Sequence, residues 1–194
     1  MTGMARTVRT LLAVVVTAGL LAACGPSGDS KDRSGSVERM NMQGAAERAD
    51  AMLDATIRAI TPEIVWVHGT TTAGSCDLSR RRTVMTVIAP QRRGSFLGVI
   101  ERFWIKSGYE ITATHPSAER PRLYAVSTEG FGISVVFGHE GQAFFEVATP
   151  CVTESEVAEP TTKPNGPAYP LGQIPTPNVR SDFWSAAAPA PASS

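Results

Sequence analysis

Residues 131–149 read FGISVVFGHEGQAFFEVAT, and this stretch decides the fold. Phe131, Ile133, Val135 and Phe137 alternate with small or polar residues, and Ala143, Phe145 and Val147 do the same after a Gly138–Gly141 turn. A period of two puts each set on one face of a strand, and the glycine turn makes the pair a hairpin. Clean alternation belongs to an antiparallel sheet with one face packed and the other wet.

Working backward, Glu129-Gly130 is a tight turn joining Phe131–Phe137 to a strand over Arg122–Thr128, and Tyr109–Thr114 is the strand before that. Phe96–Ser107 carries Phe96, Leu97, Ile100, Phe103 and Trp104 on one face of a helix, with Ser95 as N-cap and Gly108 just past its end. Arg82–Ala89 alternates as a strand closed by Pro90, and Ile64–Thr70 is a short β-like run. Residues 38–60 form a helix whose stripe is Ala45, Ala49, Met52, Leu53, Thr56, Ile57 and Ile60, ended by Pro62. The same reading puts Asp50 and Asp54 on its other faces. Two amphipathic helices need a sheet to cover. The expected fold is α+β, a two-layer sandwich with an antiparallel sheet of about five to six strands against two helices.

The outer segments have other jobs. Arg6 and Arg9 precede an apolar run from Leu11 to Leu21, about eleven residues, too short to span a bilayer but right for the core of a signal peptide. Leu21-Ala22-Ala23-Cys24 follows and resembles the lipobox of bacterial lipoproteins. That resemblance implies cleavage after residue 23 and acylation of Cys24. Two or more acyl chains hold a protein on a bilayer stably, where one holds it only marginally. Residues 1–23 are therefore expected to be a lipoprotein signal peptide, residues 24–37 the lipidated cysteine and a flexible tether, and residues 38–151 the domain. Residues 152–194 hold eight of the fourteen prolines and are expected to be a Pro/Ala-rich disordered tail. The expected location is the extracytoplasmic face of the cell membrane, with the bilayer itself as partner through Cys24.

Besides Cys24 the chain has Cys76 and Cys151. An even pair in an oxidising compartment reads as a disulfide. A metal site or redox pair is the rival reading, and no Cys-x-x-Cys spacing favours it. The chain has 18 basic and 18 acidic residues. Without Arg6 and Arg9 that leaves 16 against 18, so no field points to nucleic acid. Arg80-Arg81-Arg82 reads as a solvated loop and strand edge, or as a contact for anionic headgroups or cell-wall polymers. Phe183 and Trp184 stand alone among the prolines; they fold back on the domain, sit in the tail, or dock on a partner.

No catalytic constellation is visible. His68, His115 and His139 lack metal-ligand spacing. There is no Gly-x-Ser-x-Gly elbow. The carboxylates are scattered, and Gly130-Phe131-Gly132 enters a strand, not the helix a nucleotide fingerprint needs. No cofactor, metal or catalytic residue is expected.

Several pieces together resemble small, uncharacterised lipoproteins of actinobacteria such as the streptomycetes. They are the lipobox, Ser75-Cys76-Asp77, the passage from Phe103-Trp104 to Gly108-Tyr109, Thr128-Glu129-Gly130-Phe131-Gly132, Thr149-Pro150-Cys151 and Asp182-Phe183-Trp184-Ser185. No activity is established for that family and none is carried over. The helix followed by an alternating sheet is also similar to helix-grip domains of outer-membrane assembly lipoproteins, a likeness of fold alone. The expected role is a non-catalytic binding or accessory module with an envelope protein partner. The alternatives are an envelope ligand carrier with a groove lined by Trp66, Phe103 or Trp104, and a hydrolase whose site forms only in three dimensions.

Overall fold

A computed structural model describes residues 40–170 and 173–187. The expected signal segment, Cys24 and the tether lie outside the described residues.

The first helix, α1 (Met42–Arg58), starts where Asn41 accepts the Gly44 N–H at 2.9 Å. That bond fills one of the donors a helix leaves open at its start. Its buried stripe includes Ala45, Ala49, Met52, Leu53, Thr56 and Ile57, as the spacing requires. Thr56 is polar and fully buried, so it needs partners. Its hydroxyl donates to Met52 O at 2.9 Å and accepts from the Trp104 indole N–H at 3.0 Å.

Seven strands follow: β1 (Trp66–His68), β2 (Thr72–Ala73), β3 (Leu78–Val84), β4 (Glu110–His115), β5 (Arg122–Val126), β6 (Gly132–Phe137) and β7 (Ala143–Ala148). The second helix, α2 (Arg93–Lys106), lies between β3 and β4. The sheet runs β1-β3-β7-β6-β5-β4, every pair antiparallel, with the two-residue β2 on β3. The chain is thus the expected α+β sandwich, with the very short β2 added. The alternating residues Leu123, Ile133, Val135, Phe137, Phe145 and Val147 pack with Met52, Leu53, Phe96, Ile100 and Trp104 into one core. Each such side chain contributes roughly 1.5–3 kcal/mol by leaving water.

Several element bounds differ from expectation, those of α2 and β3 with consequences. Helix α2 begins at Arg93, after a 3₁₀ turn over Pro90–Arg92, and no side chain caps it, so Ser95 is inside the helix. At its other end Gly108 takes φ +81°, the left-handed conformation that reverses the chain into β4. Strand β3 begins at Leu78 rather than at Arg82 and ends at Val84. Past its end, Met85 and Thr86 N–H donate to Val65 O, while the C-terminal segment takes the next bonds: Val87 N–H donates to Val179 O at 2.8 Å and Ala89 N–H to Trp184 O at 2.9 Å.

That segment corrects the expectation of a disordered tail. Residues 152–170 and 173–187 run against the domain, so the folded unit does not stop at Cys151. Asn165 accepts the Trp66 N–H at 2.9 Å, and the Gly166 N–H donates to Trp66 O at 3.0 Å, covering the β1 edge of the sheet. A Cβ at Gly166 would stand 2.8 Å from Val67 Cγ1, so only glycine allows this approach. Compositional disorder signals fail here because this segment uses backbone bonds and one tryptophan, not apolar periodicity, to attach. The Cys76–Cys151 disulfide joins the end of the chain after β7 to the loop between β2 and β3.

Candidate functional site

The three consecutive arginines sit on β3, and a strand's period of two divides them. Arg80 and Arg82 share the inner face with Leu78 and Val84 and are 2% and 0% exposed. Only Arg81 faces out. Neither the solvated-edge reading nor the headgroup reading holds for Arg80 and Arg82, because both charges are buried and paired.

Their partners come from α1. Asp50 and Asp54, four residues apart, lie one turn above each other on the helix. The Arg82 Nη2 donates to Asp50 at 3.0 Å and to Asp54 at 3.1 Å, and Arg80 Nε lies 3.4 Å from Asp50. Two positive and two negative groups therefore balance in one buried cluster. Burial pushes the Asp50 carboxyl up from its ordinary range, against the pull of Arg82 and Arg80. The C-terminal segment closes the cluster, with Thr162 donating to Asp54 and Ala158 O accepting from Arg80, which also donates to Thr71 just before β2 at 2.6 Å.

His68 completes the group. Its Nδ1 meets Arg82 Nη1, and its Nε2 meets Thr162 O at 2.8 Å. A guanidinium only donates and a carbonyl only accepts, so the ring is neutral with its proton on Nε2. Burial and then the neighbouring Arg82 charge hold the imidazole below its ordinary value. The ring nitrogens of His68 are thus taken by Arg82 and the Thr162 carbonyl, not by the Asp54 carboxylate or the Thr162 hydroxyl beside them. The exposed His139 Nδ1 lies 3.8 Å from Glu140, whose other oxygen accepts from Thr176 at 3.3 Å, with the carboxylate in the middle. That order differs from the hydroxyl–imidazole–carboxylate order of a triad.

The opposite face of the sheet is different. Arg81, Tyr124, Ser134, Val136, Phe144 and Glu146 are half-buried and share the side away from the helices. Arg81 Nε donates to Glu146 at 2.8 Å, and its guanidinium lies 5.7 Å from the Phe144 ring centre. Two open hollows of about 320 and 240 Å³ meet at Tyr124, Ser134 and Glu146.

Trp184 is 1% exposed, 5.2 Å from Phe96 between ring centres, and donates its indole N–H to Pro62 O at 2.7 Å. It folds back into the core, so the docking reading does not hold for it. Phe183 is half-buried beneath Arg92, whose guanidinium stands 4.4 Å from its ring centre. Trp104 is fully buried and Trp66 lies under Arg82 at 4.6 Å, so the ligand groove expected at those residues is filled. No group of three metal-ligating side chains occurs among the described residues.

The sequence reading missed Asp50, Asp54 and His68. The available signal was register: Arg80 and Arg82 keep step with Leu78 and Val84, and Asp50 and Asp54 keep step with each other.

No protein-family model and no curated relative matches the chain. A solved structure of a DUF4853 family protein from Actinomyces odontolyticus is matched at 10% identity, over 73% of this chain and 80% of that one, with a TM-score of 0.38. A likeness this slight bears on no residue's role.

Proposed function

We propose that this chain is a binding or accessory module on the extracytoplasmic face of the cell membrane, anchored by acyl groups on Cys24 and working without chemistry of its own. The observation that carries the reading is the uncovered sheet face. Helices occupy one side only, and the other presents Tyr124, Val136 and Phe144 around the Arg81–Glu146 pair. Aromatic and arginine side chains on a rigid surface are the groups that dominate protein–protein binding energy. The partner is an envelope protein rather than nucleic acid, since the chain has no basic excess. The lipobox and the short apolar run before Cys24 support the anchor. Among the described residues no helix is long and apolar enough to cross a membrane.

Two measurements test this. Photo-crosslinkers placed at Phe144 and Val136 should trap one discrete protein from the native envelope, and crosslinkers at Lys106 and Glu129 should not; equal labelling from all four sites ends the proposal. Mass spectrometry of the membrane-bound chain should find acyl groups on Cys24, and Cys24→Ala should release the protein. Retention of that variant would remove the anchor.

A further inference from the structure

A groove runs along α2 on the other side of the molecule, away from the sheet face discussed above. It encloses about 580 Å³ between α2 and the β4–β5 connection, within the roughly 300–1,000 Å³ of small-molecule sites. Its shape comes from the helix. Arg93, Gly94, Leu97, Gly98 and Glu101 follow each other at helical spacing on one side of α2, and the two glycines hollow that side. A Cβ at Gly94 would meet nothing within 4 Å. Leu97 and Leu123 form buried apolar walls, and Pro116 and Pro121 face them from the connection.

One end is positive: Arg93 stands there, and the Glu119 carboxylate acts on it only from beyond ion-pair distance. Arg93 is 9% exposed and lines the groove. Its Nη1 donates to Glu119 O, its guanidinium stands 5.2 Å from the Phe137 ring centre, and its Nε has no partner. Among the described residues no carboxylate lies within 4.0 Å of it. Arg92, beside it, also has unpartnered nitrogens. Helix α2 starts here with no acidic residue in its first turn and no capping side chain, so its positive end adds to the same field. Buried charges in proteins are ordinarily paired, and Arg80 and Arg82 obey that rule in this fold. Arg93 does not. Glu101 lies eight residues on, about 12 Å along the helix axis, and closes the far end to a second anion.

We infer that this groove binds a small amphipathic carboxylate, its anionic head against Arg93 and its apolar body along Leu97 and Leu123. The inference stands apart from the sheet-face reading, and either can fail alone.

The test uses the full chain in lipid nanodiscs, titrated with 4-phenylbutyrate and, as the charge control, 4-phenylbutylamine. Methyl resonances of Leu97 and Leu123 report occupancy, and empty discs measure partition into lipid. The acid should bind saturably and at least about tenfold more tightly than the amine, a difference of about 1.4 kcal/mol. Gly94→Leu should fill the groove and weaken the acid by about tenfold or more, with resonances elsewhere unmoved. Arg93→Gln should erase the preference for acid over amine. Equal binding of the two probes, no saturable acid binding, or acid binding unchanged by Gly94→Leu would overturn the proposal. The comparison of probes on the unaltered chain decides even where a variant fails to fold.

Discussion

The Arg82 guanidinium lies 4.6 Å from the centre of the Trp66 ring, on the side of β3 that faces α1. The same group holds Asp50 and Asp54. A fully buried cation thus has an aromatic face and two carboxylates as its surroundings, a geometry suited to the planar fork of arginine and not to the point charge of lysine. Removing the arginine leaves two carboxylates facing each other with one cation fewer. Arg82→Leu should therefore lower stability by about 3–5 kcal/mol. Adding Asp54→Asn to it restores the balance, leaving Arg80 with Asp50, and should recover part of that loss. Urea midpoints at unchanged slope check both effects, and simple additivity of the two substitutions would contradict the coupling.

His68 makes the fold sensitive to mild acid. The folded state holds its imidazole below the ordinary 6.5, so the unfolded chain binds the proton first. Stability from this group is full above the unfolded value and falls as pH drops from about 6.5 toward the lower folded value. Asp50, raised from 3.8 by burial, gives a slope of opposite sign from that value upward. The difference between the wild-type chain and His68→Gln isolates the histidine. Thermal unfolding from pH 7.5 to 5 should show a wild-type slope that the variant flattens; parallel curves would count against it.

Trp184 should matter more to stability than to partner capture. It is fully buried against Phe96 and bonded to Pro62 O. Trp184→Ala should cost about 3–5 kcal/mol, and truncation after Asn178 at least as much. Phe183→Ala, at a half-buried site, should cost less. Chemical denaturation ranks the three, and an unchanged midpoint for Trp184→Ala would show that the segment is not part of the folded unit.

The Cys76–Cys151 bond closes a loop across a sequence separation of 75 residues. In the chain-entropy account such a loop contributes on the order of 4 kcal/mol. Replacing both cysteines with serine should lower the urea midpoint by the corresponding amount, and added reductant should then have no further effect.

Most of the fold was readable from the sequence because it rests on local periodicity. Phe131–Phe137 and Ala143–Val147 alternate, and a glycine turn joins them, so their pairing needed no distant information. The α1 stripe was equally plain. What could not be read was the environment of charge. Hydropathy assigns Arg80 and Arg82 to solvent, because nothing within a few residues of them reveals that Asp50 and Asp54 wait across the core. The C-terminal segment hid for a related reason. Its attachments at Asn165, Val179 and Trp184 are scattered hydrogen bonds and one anchoring ring spaced through prolines, which leave no period to detect. Arg93 is the remaining case: that no carboxylate among the described residues pairs with it shows only when every neighbour is in place.

Trp184 also sets an order of assembly. It fills space beside Phe96 that no earlier residue occupies, and Val179 supplies the partner that Val87 otherwise lacks. Any process that delivers the chain from its N-terminus onward, whether synthesis or passage through a membrane pore, presents these residues after everything they complete. Until then the space beside Phe96 has no tryptophan to fill it. One of the most deeply buried side chains of this core is thus also among the last to be delivered.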